Sequence, residues 1–351
     1  MDAVEAGAER ERARAAMAAA LAEIKGVIVG QDAMLERLLV SLLAGGHVLL
    51  EGVPGLAKTL TVKTLAAVLG GSYGRIQFTP DLVPADLVGT RIWRPDSASF
   101  ATELGPVFAN FVLADEINRA PAKVQSALLE VMQEQQVTIG GQTHRVPMPF
   151  IVMATQNPIE SEGTYPLPEA QVDRFLMKIV VGYPSVEEES TVVTRSLGTS
   201  PTLRTCLSLT DLEAHARAVG TVTADTTVVR YAVALADATR HPDRYGLGEL
   251  AGLIAFGASP RGPIGLVQAG RALALLRGRE RVLTEDITDL AADVLRHRLV
   301  LSYDALSEGI TADELLERIL TAVPASGAAA PGAVGRSGTG DGPDEVRMAR
   351  G

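Results

Sequence analysis

The sequence has a single cysteine, Cys206, no long uninterrupted apolar run and no excess of basic residues. One cysteine excludes an intramolecular disulfide and a cysteine-based zinc site, and it is typical of a reducing compartment. The most apolar early stretch, residues 38–50, is interrupted by polar and glycine residues and is shorter than the roughly 20 residues that span a bilayer. The first residues mix acids and bases, unlike a signal peptide. We therefore expect a cytoplasmic protein without membrane insertion.

The charge balance is acidic, with 32 Lys and Arg residues against 42 Asp and Glu residues and a net charge of −10. This balance argues against a strongly basic nucleic-acid binder. A chain of 351 residues with 47% hydrophobic residues is large enough for two folded units, each with its own core.

Short apolar runs alternate with helical patterns in the first half of the chain, at residues 47–50, 75–78, 111–114, 150–154 and 175–181. This alternation predicts an α/β fold, in which helices cover both faces of a parallel sheet. Ahead of the first run, leucines at 35, 38, 39 and 42 predict a helix with one apolar face. Residues 9–24 are rich in Ala, Glu and Arg and predict a solvent-facing helix.

The strand pattern stops after residue 182, and only helical patterns follow as far as residue 323. We therefore predict a helical extension at 1–19, an α/β domain at 20–182 and an all-α domain at 185–323. Residues 324–351 are rich in Gly, Ala, Pro and Ser and predict a disordered tail, because they carry little apolar surface to bury.

The first apolar run leads into GVPGLAKT, which places Gly52, Lys58 and Thr59 in the register of a phosphate-binding loop before a helix. Backbone amides of such a loop bind phosphates, the lysine neutralises their charge, and the hydroxyl binds Mg²⁺. Ala57 replaces the usual second glycine, so from the loop alone a chance match stays open. The candidate nucleotide-binding residues are Gly52, Val53, Pro54, Gly55, Leu56, Ala57, Lys58, Thr59, Leu60 and Asp115.

Two further strands end in polar side chains. FVLADE ends in Asp115 and Glu116, which could hold Mg²⁺ and polarise an attacking water, respectively. FIVMATQNP carries Asn157, whose amide could hydrogen-bond the γ-phosphate and the water. The alternatives are a solvated strand edge or helix cap for the acids and a helix cap or turn for Asn157.

The motifs GVPGLAKT, LADEINRAP, ATQNP, LPEAQVDRF and GASPR occur in this order and resemble the AAA+ ATPases of the MoxR family over residues 20–320. Members of that family often carry alanine at the position of Ala57. The resemblance implies a P-loop NTPase domain followed by an α-helical lid, with ATP in the cleft between them. Its implied roles are Walker A for Lys58 and Thr59, Walker B for Asp115 and Glu116, and sensor 1 for Asn157.

The resemblance also assigns two arginines. Arg174 would be the arginine finger given to a neighbouring subunit, and Arg261 the sensor 2 residue acting from the lid. From the residues alone, a salt bridge to Asp173 or Glu169 would explain Arg174 equally well. Arg261 stands at the start of a predicted helix, where the dipole disfavours a cation; this suggests an external anion, but an ordinary surface arginine stays open.

Two insertions resemble substrate-contacting elements of related assemblies. Residues 79–104 resemble the helix 2 insert, and residues 137–149 resemble the pre-sensor 1 hairpin, with Gly140-Gly141 predicting its turn. The alternative is that both are surface hairpins covering the sheet. Trp93, in the first insertion, is a candidate partner anchor or part of a small local core.

The resemblance implies a hexameric ring that hydrolyses ATP with Mg²⁺ to remodel, activate or mature partner proteins, including proteins with a von Willebrand factor A domain. Two other functions stay open: a nucleotide-dependent assembly scaffold, and a DNA-acting AAA+ motor. The net charge of −10 weighs against the motor.

Overall fold

The computed structural model describes residues 3–158, 163–198 and 202–325. Its α-helices are α1 (Ala3–Val27), α2 (Asp32–Leu43), α3 (Lys58–Val68), α4 (Pro84–Val88), α5 (Ala122–Glu134), α6 (Glu169–Val172), α7 (Val186–Ser196), α8 (Leu209–Val219), α9 (Thr226–Arg240), α10 (Arg261–Leu276), α11 (Thr284–Leu295), α12 (Tyr303–Ser307) and α13 (Ala312–Ala322). Its strands are β1 (Val48–Glu51), β2 (Tyr73–Gln77), β3 (Gly89–Arg94), β4 (Ser99–Leu104), β5 (Phe111–Asp115), β6 (Gln136–Ile139), β7 (Gln142–Arg145), β8 (Ile151–Gln156), β9 (Met177–Val180), β10 (Ile254–Phe256) and β11 (Val300–Leu301). No helix within these ranges is long and apolar enough to cross a bilayer.

A five-stranded sheet in the order β2-β5-β8-β1-β9 forms the centre of the α/β domain. All of its strand pairs are parallel, as the alternating pattern predicted. Because parallel strands end at the same edge, the register places Gln77 opposite Asp115 and Glu51 opposite Gln156. The polar ends of the strands are therefore brought together at one edge of the sheet.

Helices cover both faces of this sheet, and successive strand residues point into two separate cores. Leu50 and Leu113 pack in the core that includes Val62 and Leu65 of α3. Leu49 and Val112 pack in the core that includes Val124 and Leu128 of α5. The continuous apolar composition of the strands follows from this two-sided burial.

The N-terminal helix differs from the prediction. Ala13, Met17, Ala20 and Ile24 of α1 are buried, and the helix contacts α3, α8 and α10. The prediction of a solvent-facing helix was wrong. Two of these four buried residues are alanines, and because alanine is also common on the rest of the helix, the buried face differs little in hydrophobicity from the exposed face. The helix also runs without a break through the expected boundary between residues 19 and 20.

The C-terminal unit is helical, as predicted, and it also contains one small strand pair that the sequence did not indicate. β10 and β11 pair as a small antiparallel ribbon. Strands of two or three residues leave too little periodicity to be seen in sequence. The predicted tail begins with Pro324 and Ala325, and its remainder, 326–351, lies outside the described residues.

Both insertions contain hairpins. The first consists of α4 followed by β3 and β4, and in the second, β6 and β7 are joined by the predicted Gly140-Gly141 turn, both glycines having positive φ. The two hairpins meet where the Arg91 side chain packs against Gly140. Trp93 and Phe100 stack edge to face at 5.1 Å and are 50% and 57% exposed, so Trp93 is only half-buried.

Candidate functional site

The phosphate-binding loop connects β1 to α3. Gly52 lies so close to β9 that a Cβ atom there would be 2.7 Å from the Val181 carbonyl oxygen. Ala57 adopts a left-handed conformation with φ of 54°, the geometry for which glycine is usual, and it precedes the first residue of the helix. The Lys58 ammonium donates to the Gly52 carbonyl across the loop, and burial lowers the pKa of Lys58.

This loop and the ends of β5 and β8 surround a cavity of about 350 Å³. Its lining includes Lys58, Thr59, Asp115, Glu116 and Asn157, together with the predicted loop residues from Pro54 to Ala57 and Leu60. The candidate residues Gly52 and Val53 are not part of this lining. Asn157 is buried, with 5% of its surface exposed. The structure thus brings together three motifs that are far apart in sequence.

Asp115 is held by three neighbouring side chains. Its Oδ1 accepts a hydrogen bond from the Thr155 hydroxyl at 2.7 Å, and its Oδ2 accepts one from Arg75 Nη2 at 2.8 Å. The Thr59 hydroxyl lies 3.4 Å from the same Oδ2. Mg²⁺ prefers oxygen ligands and usually keeps several of its waters. The Thr59 hydroxyl and the Asp115 carboxylate, which lie next to each other, are ligands of this kind.

Glu116 follows β5 in a left-handed conformation, with φ of 56°. Its backbone N–H donates to the Thr155 hydroxyl at 2.8 Å. Its Oε2 accepts hydrogen bonds from Gln77 Nε2 at 2.9 Å and Arg119 Nη1 at 3.1 Å. Sequence analysis missed Gln77 and Arg119, although the strand pairing that puts Gln77 opposite Asp115 could have indicated the first.

An apolar cleft of about 410 Å³ adjoins the phosphate loop, with Ala57 and Leu60 in its wall. Val27 at the end of α1 and Ile28 and Val29 after it line the cleft on one side, and Val192 of α7 lines it on another. Sequence analysis missed this cleft. Its only signal was the apolar run GVIV before Gly30.

Arg174 and Arg261 lie elsewhere, together in a cavity of about 320 Å³ that also includes Gly45 and Gln268. Within the described ranges Arg174 forms no ion pair, and its buried Nε has no hydrogen-bond partner, so the alternative salt bridge to Asp173 or Glu169 is absent there. Arg261 is 51% exposed and lies 3.6 Å from Asp173. It does not line the phosphate cavity of its own chain, contrary to the expectation that it acts from the lid over the cleft.

Comparisons with known proteins agree with this architecture. Residues 47–177 match the ATPase family associated with various cellular activities (AAA), and residues 251–319 match the AAA lid domain. Chaperone MoxR1 of Mycobacterium tuberculosis is 57% identical over 304 residues, which is 87% of this chain and 81% of the chaperone. Protein MoxR of Paracoccus denitrificans is 37% identical over 80% of this chain and 87% of its own length.

The fold is also found in a solved structure. A crystal structure of a Cytophaga hutchinsonii protein assigned as an ATPase superposes with a TM-score of 0.87 and 47% identity, covering 91% of this chain and 98% of that one. The matched relatives extend over both the sheet domain and the helical unit. Together with the cavity between β1, β5 and β8, these similarities show that the chain belongs to the MoxR family of AAA+ ATPases.

Proposed function

We propose that this protein hydrolyses ATP at sites shared between two copies of the chain in a ring, and that the cycle remodels, activates or matures partner proteins. One observation carries the proposal. Among the described residues, no arginine lines the cavity with Lys58, Asp115 and Glu116, and the nearby Arg75 and Arg119 are paired with the two carboxylates at its edge. Arg174 and Arg261 line a different cavity of the same chain. A neighbouring copy would complete the site.

Binding would use the loop and the adjoining cleft. Lys58 and the loop amides would hold the phosphates, and the cleft beside Leu60 and Val29 would receive the apolar faces of the base. Thr59 and Asp115 would hold Mg²⁺, which neutralises charge on the β- and γ-phosphate oxygens when bound. Burial lowers the pKa of Lys58, but the nearby carboxylates, Asp115 foremost, act in the opposite direction and favour the charged ammonium.

Glu116 and Asn157 would act on the attacking water. The Glu116 carboxylate would accept hydrogen bonds from the water and draw its proton, while the Asn157 amide would orient it. Gln77 and Arg119 hold the carboxylate at the edge of the cavity, so it would have to leave or share these donors during hydrolysis.

Arg174 and Arg261 of the adjacent copy would stabilise the negative charge on the γ-phosphate as it leaves. This arrangement supports a closed ring, for which we propose the hexamer. The chaperone name of one relative supports a protein client, and a von Willebrand factor A domain protein is our candidate. We place the reaction in the cytoplasm.

The test is complementation between two inactive variants. Lys58→Ala should fail to bind ATP, and Arg174→Ala should bind it but lose hydrolysis by on the order of 10³-fold. Mixed, they should recover activity, because the intact loop of one copy meets Arg174 of the other. The recovered rate should rise with protein concentration as mixed assemblies form.

The control is a mixture of Lys58→Ala with the double variant Lys58→Ala/Arg174→Ala, which contains no intact loop and should stay inactive. If the first mixture never exceeds the sum of its parents, although subunit exchange is shown by fluorescence energy transfer, the shared-site proposal is wrong.

A further inference from the structure

The C-terminal helical unit, residues 185–323, forms hydrogen bonds to the backbone on both sides of Arg174. Arg298, which follows α11, is almost fully buried, with 3% of its side chain exposed. Its Nη2 donates to the carbonyls of Asp173 at 3.2 Å and Phe175 at 2.8 Å, and its Nη1 donates to that of Leu176 at 3.2 Å. These carbonyls belong to the residue before Arg174 and the two residues after it.

The Asp173 side chain adds further contacts between this segment and the helical unit. Its Oδ1 accepts from Arg298 Nε at 2.8 Å. Its Oδ2 accepts from the Ser259 hydroxyl at 2.8 Å, and Arg261 Nη1 lies 3.6 Å from the same oxygen. The Ser259 hydroxyl also accepts from the Arg261 backbone N–H at 3.1 Å. One carboxylate thus connects the segment of Arg174 with the segment of Arg261.

The Arg174 side chain has no such support of its own. Within the described part of the chain it forms no ion pair, and its Nε lacks a partner. Its direction therefore depends on where the backbone of residues 173–176 is held. Burial lowers the pKa of Arg298 to about 10, so its guanidinium stays charged at neutral pH and keeps all of these hydrogen bonds.

We propose that Asp173 and Arg298 form a positioning clamp, through which the helical unit sets the place of Arg174 and ties it to Arg261. The proposal rests on the function above, in which Arg174 acts on the neighbour's nucleotide. A movement of the helical unit would then alter the site of the next subunit by moving Arg174, without any contact between the clamp and ATP.

The test adds clamp variants to the complementing pair. Asp173→Asn keeps the shape and one oxygen for Arg298 but loses the charge shared with Ser259 and Arg261. On the Lys58→Ala copy, which supplies Arg174, it should lower the recovered kcat about tenfold and leave KM for ATP unchanged. On the Arg174→Ala copy it should cause no further loss, because that copy's finger is already missing.

Ser259→Ala is the milder variant, in case Asp173→Asn does not fold. It removes one hydrogen bond and leaves Arg298 bound to Asp173, so we expect a loss of about threefold to fivefold, again only on the copy that supplies Arg174. The matched control is Ser302→Ala, which removes a helix-capping hydroxyl from the same unit and should not change the recovered rate.

The outcomes separate the two proposals. No recovery in the unmodified pair overturns the shared site and the clamp together. Normal recovery that Asp173→Asn and Ser259→Ala leave unchanged, or that they lower equally from either copy, overturns the clamp alone. A loss confined to the copy that supplies Arg174 supports the clamp, because general destabilisation would act from both copies.

Discussion

Ala57 holds the turn between the phosphate loop and α3 in a left-handed conformation that costs an L-residue roughly 1 kcal/mol. Glycine would adopt this conformation without strain, whereas a β-branched side chain would resist it. This position therefore requires a small side chain but does not require glycine.

We expect Ala57→Gly to keep ATP affinity within about twofold, because the loop amides stay in place. Ala57→Val should weaken ATP binding on the order of tenfold, because the branched side chain moves the loop out of the left-handed region. Titration with a fluorescent ATP analogue measures both. Equal affinity of Ala57→Val and the unchanged chain would contradict this account of the turn.

Glu116→Gln should bind ATP normally and lose turnover by about 10²-fold or more, because the amide keeps the shape but cannot accept the proton of the water. Steady-state phosphate release and ATP binding should be measured together. Glu130→Gln, which neutralises an exposed glutamate on α5, is the matched control and should retain activity. Full turnover in Glu116→Gln would show that this residue takes no part in the mechanism. If the unchanged chain assembles with ATP but shows no turnover, the alternative function as a nucleotide-dependent assembly scaffold would be favoured.

At the scale of elements, the two hairpins form one projecting unit. Arg91 of β3 lies between the Phe100 ring, 5.0 Å from its centroid, and the turn at Gly140. A Cβ on Gly140 would be 2.0 Å from Arg91 Cδ, so there is no room for a side chain while Arg91 stays.

Gly140→Ala should therefore displace Arg91 and change the surroundings of the neighbouring Trp93, the only tryptophan of the chain. The measurement is a shift in tryptophan emission. Gly141→Ala is the control, because Gly141 has a similar positive φ of 84° but no atom of the described residues lies within 4 Å of the added carbon. The same emission spectrum for Gly140→Ala and the unchanged chain would show that the hairpins are not linked in this way.

Sequence patterns predicted the elements whose apolar or glycine residues stand out clearly from their surroundings. The five parallel strands and the Gly140-Gly141 turn were confirmed because apolar runs and paired glycines have few other structural meanings. The buried stripe of α1 and the ribbon of β10 and β11 escaped prediction, the first because alanine contributes to both faces and the second because its strands are too short. Their places depend on tertiary contacts that no local pattern records.

The residues of the candidate site also fall into those that the sequence could bring together and those that it could not. Lys58, Asp115 and Asn157 could be placed together from sequence, because parallel strands end at one edge. Arg261 could not be placed, because its position depends on how the helical unit packs on the residues around Asp173. The apolar cleft was missed for the same reason, since α1, α3 and α7 each contribute one part of its wall.

The stability of the whole molecule should depend on pH through His47, which joins three elements. Its Nδ1 accepts a hydrogen bond from the Val152 backbone N–H at 3.0 Å, so the ring is neutral there and its Nε2 donates to the Met132 carbonyl at 3.2 Å. Burial lowers the pKa of His47 from 6.5 to about 4. The fold therefore favours the neutral ring, and this contribution is complete above pH 6.5 and is lost as the pH falls toward 4.

We expect His47→Gln, which keeps one acceptor and one donor but does not titrate, to remove part of this dependence. Between about pH 7 and pH 5 the unchanged chain should lose about 2 kcal/mol more unfolding free energy than the variant. Urea unfolding at both pH values measures the difference. Parallel losses in the two proteins would show that folding does not lower the pKa of His47.

α1 is synthesised well before most of the elements that cover its buried face. α1 contacts α3, but much of its buried stripe packs on α8 and α10, and Arg10 reaches Thr221 at 3.2 Å and Glu280 at 3.1 Å. At a synthesis rate of about 5–20 residues per second, these partners leave the ribosome roughly 10–50 s after the helix. During that interval the side chains of Met17 and Ile24 have no complete cover. During synthesis, α1 therefore depends on the ribosome surface or a holding chaperone to cover its apolar face, and slower synthesis prolongs that dependence.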